Sequence, residues 1–362
     1  MIMERKILLI SILVTIGAIS FLSGYLLMPG KGLTKQIGLI TERFSNQIDT
    51  GPSDNKVSQI APLSARKFIS FVNPGSERIV AADKNGDIVE IDTANFRENV
   101  LTTLGQKNIL EALLSPAGDS VIYSFYDTKN NKKHAYLNFF SKDSKEVSAD
   151  IPGNLKSAAF SPRGDQAAYF VSSEDGGELL ISKGANIIKR ALKTRIGAAL
   201  VAWPSDFISI ISYNKDGYGD LFVLKDDGAL NKIISYQYDL NIKWSLSGEK
   251  IIFSVKDDAG SDRLFYRDIK NSGAIASLEI SADASKCLWT SEEEIICGIR
   301  NKVELKDEFY RVSVTDGSKK LILTPNINIL IKEVALNRQG DTLFVLNDID
   351  SKLYSLKLAE SN

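Results

Sequence analysis

The feature that most constrains the fold is a sequence motif that occurs seven times between residues 71 and 344. Each copy is a short apolar strand, a turn rich in Ser, Pro, Gly and Asp, and a second β-rich strand, as in LLSPAGDSVIY from Leu113. The turns open 41 to 47 residues apart, 44 on average, at Asn73, Ser115, Ser161, Pro204, Ser245, Thr290 and Asn337. A β-rich repeat of this period is typical of propellers with four strands per blade, so we predict an all-β, seven-bladed β-propeller of four-stranded antiparallel blades.

Each repeat has room for four strands. From the axis outward, those of the first repeat are expected at residues 67–72, 78–82, 87–92 and 99–104. The seventh repeat has no outer strand after its third, whereas residues 56–60 (KVSQI) match the outer strands of other repeats in pattern. We predict that this segment pairs with the last blade and closes the ring, because an open ring exposes strand edges. The propeller then spans residues 56–362.

The charge of the chain is balanced. It has 44 basic and 45 acidic residues among 362, a net charge of −1. Nucleic-acid-binding proteins usually carry a basic surplus, so we expect no nucleic-acid partner. Hydrophobic residues make up 44% of the chain, which is ordinary for a globular protein and excludes a disordered chain or one with many membrane spans.

Residues 7–28 form an uncharged run of 22 residues ahead of the propeller. As a helix the run is about 33 Å long, enough to cross a hydrocarbon core of about 30 Å. Arg5 and Lys6 precede it, which favours a cytoplasmic tail of residues 1–6 and a propeller outside the cell membrane, in the periplasm or at the cell surface. A signal peptide cleaved near Ser20 is the alternative, but the apolar run continues past that site and favours a retained, single-pass signal-anchor.

Residues 29–55 connect this run to the first repeat. Leu33, Ile37, Ile40 and Phe44 recur at steps of 4, 3 and 4, which places them on one face of a helix. We expect a short juxtamembrane helix followed by a linker, and the sequence leaves open whether the helix lies on the membrane or on the propeller.

Two cysteines, Cys287 and Cys297, lie in the sixth repeat. If residues 291–293 form the loop of a hairpin, the two cysteines face each other on neighbouring strands. Their Cα atoms are then about 4.5–5.5 Å apart, a separation that a disulfide can span. An exported domain permits such a bond. The sequence leaves two interpretations, a disulfide or two buried thiols.

Trp203, Trp244 and Trp289 occupy the same place in successive repeats, directly before the turn. A row of aromatic side chains can stack on a ligand. Recurrence at the end of the inner strand is better explained by packing between neighbouring sheets, so we interpret the three indoles as core.

The turns SPAGD from Ser115 and SPRGD from Ser161 resemble the TolB-like propeller repeat, in which a Ser-Pro-Asp-Gly turn precedes a strand. The resemblance covers all seven repeats and departs from the family pattern at the third turn position, where Ala117, Arg163 and Ser247 replace Asp. The chain has no Trp-Asp ending of the WD-repeat kind. The resemblance implies a binding platform in or near the cell envelope, often for proteins and sometimes beside an enzyme domain.

The sequence carries no recognisable catalytic signature. A single histidine, His134, is too little for a His-based metal site, and a Gly-x-Ser-x-Gly nucleophile motif is missing. The segment DKNGD from Asp83 looks like the start of a calcium loop, but its Gly falls too early and a hairpin turn explains it better. We therefore expect no catalytic residues, no cofactor and no metal, and keep a propeller hydrolase or lyase for envelope polysaccharide as the alternative.

The loops between second and third strands are polar and of unequal length, and in a propeller they share one face with the connections between blades. Their Tyr and acidic residues are candidates for a binding surface: Tyr126, Asp127, Glu174, Asp175, Tyr218, Asp220, Asp257 and Asp258. We expect a non-catalytic protein-interaction or scaffold module of the cell envelope. Its expected partners are envelope proteins or, alternatively, a polysaccharide.

Overall fold

A computed structural model of the protein describes residues 60–75, 77–140, 147–151 and 154–358. These residues form seven four-stranded sheets in which all paired strands are antiparallel. The chain is a seven-bladed β-propeller, and this prediction is confirmed. The predicted anchor and juxtamembrane helix lie outside the described residues. Within the described ranges, no helix is long and apolar enough to cross a bilayer.

The strands fall into four sets from the axis of the ring outward. The inner strands are β2 (Phe68–Gly75), β6 (Ile109–Leu114), β10 (Asn154–Phe160), β14 (Ala199–Ala202), β18 (Asn241–Trp244), β22 (Cys287–Trp289) and β26 (Ile331–Leu336). The second strands are β3 (Arg78–Asp83), β7 (Ser120–Asp127), β11 (Gln166–Ser173), β15 (Ile208–Tyr213), β19 (Lys250–Lys256), β23 (Glu294–Asn301) and β27 (Thr342–Asn347). The third strands are β4 (Asp87–Asp92), β8 (Lys132–Phe139), β12 (Gly176–Lys183), β16 (Tyr218–Leu224), β20 (Asp262–Asp268), β24 (Lys306–Ser313) and β28 (Leu353–Lys357). The outer strands are β5 (Arg97–Thr103), β9 (Val147–Asp150), β13 (Asn186–Thr194), β17 (Leu230–Tyr238), β21 (Ala276–Ser277), β25 (Lys319–Leu323) and β1 (Ile60–Pro62).

The outer strand of the last blade comes from the start of the described chain. Strand β1 pairs with β28, with Ile60 opposite Leu356 and Pro62 opposite Tyr354. A further backbone bond of 2.9 Å runs from Leu63 N–H to Leu353 O. Of the segment predicted to close the ring, residues 56–59 lie outside the described residues, and the observed pairing begins at Ile60.

The hydrophobic core lies between neighbouring blades. Each cluster of buried apolar side chains among the described residues is shared by two adjacent blades. The cluster between the last and the first blade joins Phe344 and Leu346 to Phe68 and Ile79. Second strands such as β3 are buried on both faces, because every blade has a neighbour on each side. The ring is therefore closed by side-chain packing as well as by the pairing of β1.

Hydrogen bonds within the repeated turn and its contact with the preceding blade explain its sequence. Ser115 Oγ accepts hydrogen bonds of 3.2 Å from the N–H groups of Asp119 and Ser120, and donates one of 2.8 Å to Asp119 Oδ1. Gly118 has a φ of +66°, and a Cβ there would lie 2.8 Å from Val80 Cγ2 of the preceding blade. The Ser-x-x-Gly-Asp pattern is therefore structural.

The connections between strands lie on two faces. The face that carries the loops between second and third strands, together with the connections between blades, is called the loop face below. In blade 6 the connection ends in a 3₁₀ turn, Ala284–Lys286, which contacts the inner strands β18 and β26. The inner strand that follows is short, and it pairs Cys287 directly with Cys297. These two cysteines form a disulfide.

Candidate functional site

The eight residues singled out in the sequence occupy the loop face of blades 2 to 5. Glu174, Asp175 and Asp258 are exposed at loop tips. Within the described part of the chain, no hydrogen bond or ion pair joins one blade's members of this set to another's. The loop face therefore carries separate features on each blade, and the eight residues do not form one site.

Two of the carboxylates on this face hold their own turns. Asp127 accepts hydrogen bonds from the N–H of Lys129 at 2.9 Å and from Asn130 Nδ2 at 2.6 Å. Asp257 accepts one of 2.9 Å from the N–H of Ser261. The pKa of Asp127 is lowered chiefly by the Asn130 side chain, and the pKa of Asp257 chiefly by the Ser261 N–H. Both charges serve loop structure.

Blade 4 presents three tyrosines at the loop face, which we call the tyrosine platform: Tyr218, Tyr236 and Tyr238. Tyr236 is 65% exposed, and its ring stacks on Tyr218 with centroids 4.2 Å apart and planes 8° apart. Its backbone is in the left-handed region at φ +53°, which is unusual for a bulky residue. Asp220 Oδ1 accepts the N–H of Tyr236 at 2.8 Å, and Lys232 Nζ lies 3.0 Å from Asp220 Oδ2. The platform is thus held in place by a charged pair.

Blade 2 carries a pocket of about 480 Å³ on the same face, which we call the aromatic-walled pocket. Its wall contains Phe125, His134 and Tyr136, whose rings stack with centroids 5.7 to 6.4 Å apart. Tyr126 and Asp127 line its rim. His134, the one histidine of the sequence, is therefore part of an aromatic surface beside polar groups.

A third feature, missed in the sequence, lies at the axis of the ring. A cavity of about 400 Å³ is bounded by the inner strands of blades 1, 2, 5 and 7 and by Ser285 of the 3₁₀ turn. Its charged lining residues are Lys243, Lys332 and Glu333, and Phe71 is one of its apolar lining residues. We call it the channel cavity.

Lys243 is the unusual group of the channel cavity. Among the described residues its Nζ takes part in no hydrogen bond and no ion pair, and the side chain is half-buried. Burial lowers the pKa of Lys243, and the charge of Glu333 opposes that shift. The Lys243 carbonyl accepts a 3.2 Å bond from Trp289 Nε1, which fixes β18 against blade 6. The indole therefore holds two blades together, in keeping with its interpretation as core.

Glu333 and Lys332 are held by the first blade. Glu333 Oε2 accepts hydrogen bonds from Ser70 Oγ at 3.2 Å and from the N–H of Phe71 at 3.0 Å. Burial raises the pKa of Glu333, although the Phe71 N–H and the lysines work against that shift. Lys332 Nζ donates to Ile69 O at 2.8 Å.

One sequence signal marks the channel cavity. At the place of Lys243, two residues before the turn opens, the other six repeats have an apolar residue: Phe71, Leu113, Ala159, Ala202, Leu288 and Ala335. A lysine there breaks the repeat. Within the described ranges, no group of three or more His, Cys, Asp and Glu side chains is arranged to hold a metal ion.

No protein-family model matches the chain, and no curated protein gives a significant sequence match. Solved structures share its fold. An oligogalacturonate lyase in complex with manganese has a TM-score of 0.64 at 9% identity, covering 84% of this chain and 94% of that one. The WD40 repeats of RRP9 have a TM-score of 0.59 at 12% identity, covering 83% and 97%.

The propeller domain of the Trilobed protease from Pyrococcus furiosus has a TM-score of 0.55 at 13% identity, covering 86% of this chain and 98% of that one. That domain has an open velcro topology, whereas here β1 pairs with the last blade. Identities this low show the fold alone. The three neighbours range from lyase to WD40 repeat to protease, so the fold does not select a function.

Proposed function

We propose that this protein is a non-catalytic interaction module of the TolB-like kind, anchored in the cell membrane by residues 7–28, whose loop face binds a protein of the cell envelope. The tyrosine platform carries the proposal. Tyrosine is enriched among the residues that dominate binding energy at protein interfaces. The left-handed backbone of Tyr236 is energetically costly, and such conformations cluster at functional sites.

The test of protein binding starts from cross-linking in intact cells, followed by purification of the full-length chain and identification of the attached protein. Binding of that purified partner is then compared between the parent chain and Tyr236→Ala. Val303→Ala is the matched control, because Val303 is 90% exposed in another loop of the same face. We expect Tyr236→Ala to weaken binding about tenfold or more and the control to leave it unchanged. Equal weakening by both variants, or by neither, contradicts the proposal.

The anchored location has its own test. A reporter fused after residue 362 is expected to be active outside the cytoplasm, on a chain of full length in the membrane fraction. A shortened, soluble product contradicts anchoring and supports cleavage near Ser20.

A second candidate function is binding of an envelope polysaccharide, and the aromatic-walled pocket favours it. Sugar rings present C–H faces that pack on aromatic walls, and the Asp127 and Asn130 side chains of the pocket can bond their hydroxyls. The likeness to an oligogalacturonate lyase concerns the fold. The aromatic-walled pocket has one carboxylate in its lining, Asp127, whereas most glycosidases use a pair. We therefore propose binding and not hydrolysis for this alternative.

Polysaccharide binding is tested by retarded migration of the full-length protein through gels that contain cell-envelope polysaccharide. Tyr126→Ala, at the rim of the pocket, is expected to lose the retardation, while Val303→Ala keeps it. Migration that no polysaccharide alters contradicts this second candidate.

A further inference from the structure

The channel cavity has more hydrogen-bond donors than its own acceptors use. A lysine ammonium carries three N–H donors. Those of Lys243 have no partner among the described residues, and Lys332 uses one of its donors on Ile69 O. Glu333 is the one carboxylate in the lining, and its Oε2 is already engaged by Ser70 and Phe71. The cavity therefore has a net positive charge and unused donors on Lys243 and Lys332.

The lining of the cavity also contains apolar residues. Val72, Leu113 and Leu114 come from blades 1 and 2, and Val334 and Leu336 come from blade 7. The volume of about 400 Å³ falls within the range of small-molecule sites, about 300–1,000 Å³. An occupant that fits this lining has an anionic group for the lysines and a carbon frame for the apolar residues.

An unpaired ammonium in a surrounded cavity is unfavourable, because it gives up part of its hydration without gaining a fixed partner. The fold does not require the charge, since six other repeats place an apolar residue at the equivalent position. A bound anion would supply the missing partner through charge-assisted hydrogen bonds.

We propose that the channel cavity binds the carboxylate group of a small organic acid or chain end, with Lys243 as its principal ligand and Lys332 in support. Glu333 Oε2 is bonded to blade 1, and its negative charge in the lining limits how much further negative charge the cavity accepts. This site is separate from the tyrosine platform and does not depend on the function proposed for the loop face.

A carboxylate of this kind can come from an acidic sugar or from the end of a peptide chain, and paired probes separate the two sources. Galacturonic acid is compared with galactose, and N-acetylalanine with its amide. Calorimetry on the full-length protein in detergent measures each affinity. Binding of an acid and not of its neutral partner supports the proposal and identifies the source; if neither acid binds better than its neutral partner, the proposal is overturned.

Two variants with opposite expected effects test the assignment of ligands. Lys243→Gln is expected to weaken binding of the acid about tenfold or more, while Lys225→Gln, on an exposed turn of blade 4, leaves it unchanged. Glu333→Gln keeps an oxygen that can accept from Ser70 and Phe71 but removes a negative charge, so it is expected to strengthen binding about threefold. Unchanged affinity in both channel variants overturns the proposal.

A labelling experiment on the unaltered protein avoids dependence on the folding of variants. An amine-acylating reagent is expected to modify Lys243 more slowly when the acid is present, as measured by mass spectrometry. Lys225 serves as the internal reference, whose rate is expected to stay the same. Equal slowing of both lysines, or of neither, contradicts binding of the acid in the channel cavity.

Discussion

The loop face and the channel cavity hold their charged groups in opposite ways. On the loop face, Asp127, Asp220 and Asp257 each accept a hydrogen bond from a backbone N–H of their own blade. In the channel cavity, Lys243 has no such partner among the described residues, and Glu333 is bonded through one oxygen to a neighbouring blade. These loop-face carboxylates serve the local structure of their own blade, whereas the ammonium of Lys243 in the channel remains available to a ligand.

The difference shows where to look for function in a charged propeller. Asp127, Asp220 and Asp257 are partly exposed, so a few local hydrogen bonds are enough to make them useful to the fold. A channel ammonium has lost part of its water and is unfavourable until something binds it. The informative charge is therefore a single lysine, Lys243, at a position that is apolar in the other repeats.

The largest effect is expected from a buried loop-face carboxylate, Asp83 of blade 1. Its Oδ1 accepts the N–H groups of Asn85 at 2.8 Å and Asp87 at 3.0 Å, and its Oδ2 lies 2.9 Å from Arg66 Nη1. Because Asp83 is 2% exposed, Asp83→Ala leaves two backbone N–H groups without this acceptor and removes one of the two carboxylates that hold Arg66 Nη1. The variant is expected to lower the free energy of unfolding by about 3 kcal/mol.

Urea unfolding of the full-length protein measures this loss. Asp258→Ala is the control, since Asp258 is exposed at a loop tip, and its unfolding midpoint is expected to match that of the parent. If Asp83→Ala unfolds at the parent's midpoint, loop-face carboxylates do not stabilise their turns as we infer.

The repeat was sufficient to predict the fold because its turn is local. Ser115, Gly118 and Asp119 interact within one turn and with the adjacent blade, so their spacing is visible in the sequence wherever it recurs. The opposed positions of Cys287 and Cys297 could be derived in the same way from the length of one hairpin.

The candidate site could not be predicted in this way. Lys243 and Glu333 lie two blades apart and line one cavity because the inner strands of all blades surround the same axis, so no local spacing relates them. The strained backbone of Tyr236 follows from a shift of register between β16 and β17, which no residue pattern marks. In the sequence, Tyr218 and Asp220 stand out as a tyrosine and an acid of one loop, but no pattern marks their joint role under Tyr236.

A smaller loss is expected at the tyrosine platform. Asp220→Ala removes the acceptor for the N–H of Tyr236 and the partner of Lys232, so the left-handed backbone is no longer held. We expect the free energy of unfolding to fall by about 1–2 kcal/mol and partner binding to weaken as in Tyr236→Ala. Urea unfolding and the binding assay check the two expectations. Normal binding by Asp220→Ala would show that the tyrosine platform does not need the charged pair of Asp220 and Lys232 for binding.

A change of opposite sign is expected in the channel. Lys243→Met replaces an unpaired ammonium by an apolar side chain of similar length, and is expected to raise the free energy of unfolding by about 1 kcal/mol at neutral pH. The gain should shrink as pH rises towards 10.5, because the unfolded state then binds more protons at Lys243 than the folded state, whose pKa burial has lowered. A variant less stable than the parent at neutral pH contradicts the view that Lys243 lacks a partner.

The smallest expected effects concern two carboxylates, Asp87 and Glu333, whose contributions to stability should depend on pH with opposite signs. The pKa of Asp87 is lowered by the Thr103 hydroxyl and then by Arg66, so its stabilisation is present above the ordinary value of 3.8 and is lost as pH falls through the lower folded pKa. The pKa of Glu333 is raised by burial, so ionised Glu333 weakens the fold above its raised pKa and is neutral in both states well below 4.5.

Thermal melts from about pH 3 to about pH 8 compare the parent with Asp87→Asn and Glu333→Gln. Relative to the parent, Asp87→Asn is expected to melt lower at neutral pH, whereas Glu333→Gln is expected to melt slightly higher; both differences should diminish towards acid. The opposite signs arise because one carboxylate is surrounded by donors on a hydrated face, while the other is partly desolvated in the channel. If both variants shift the melting temperature in the same direction at neutral pH, the contrast between the loop face and the channel cavity does not hold.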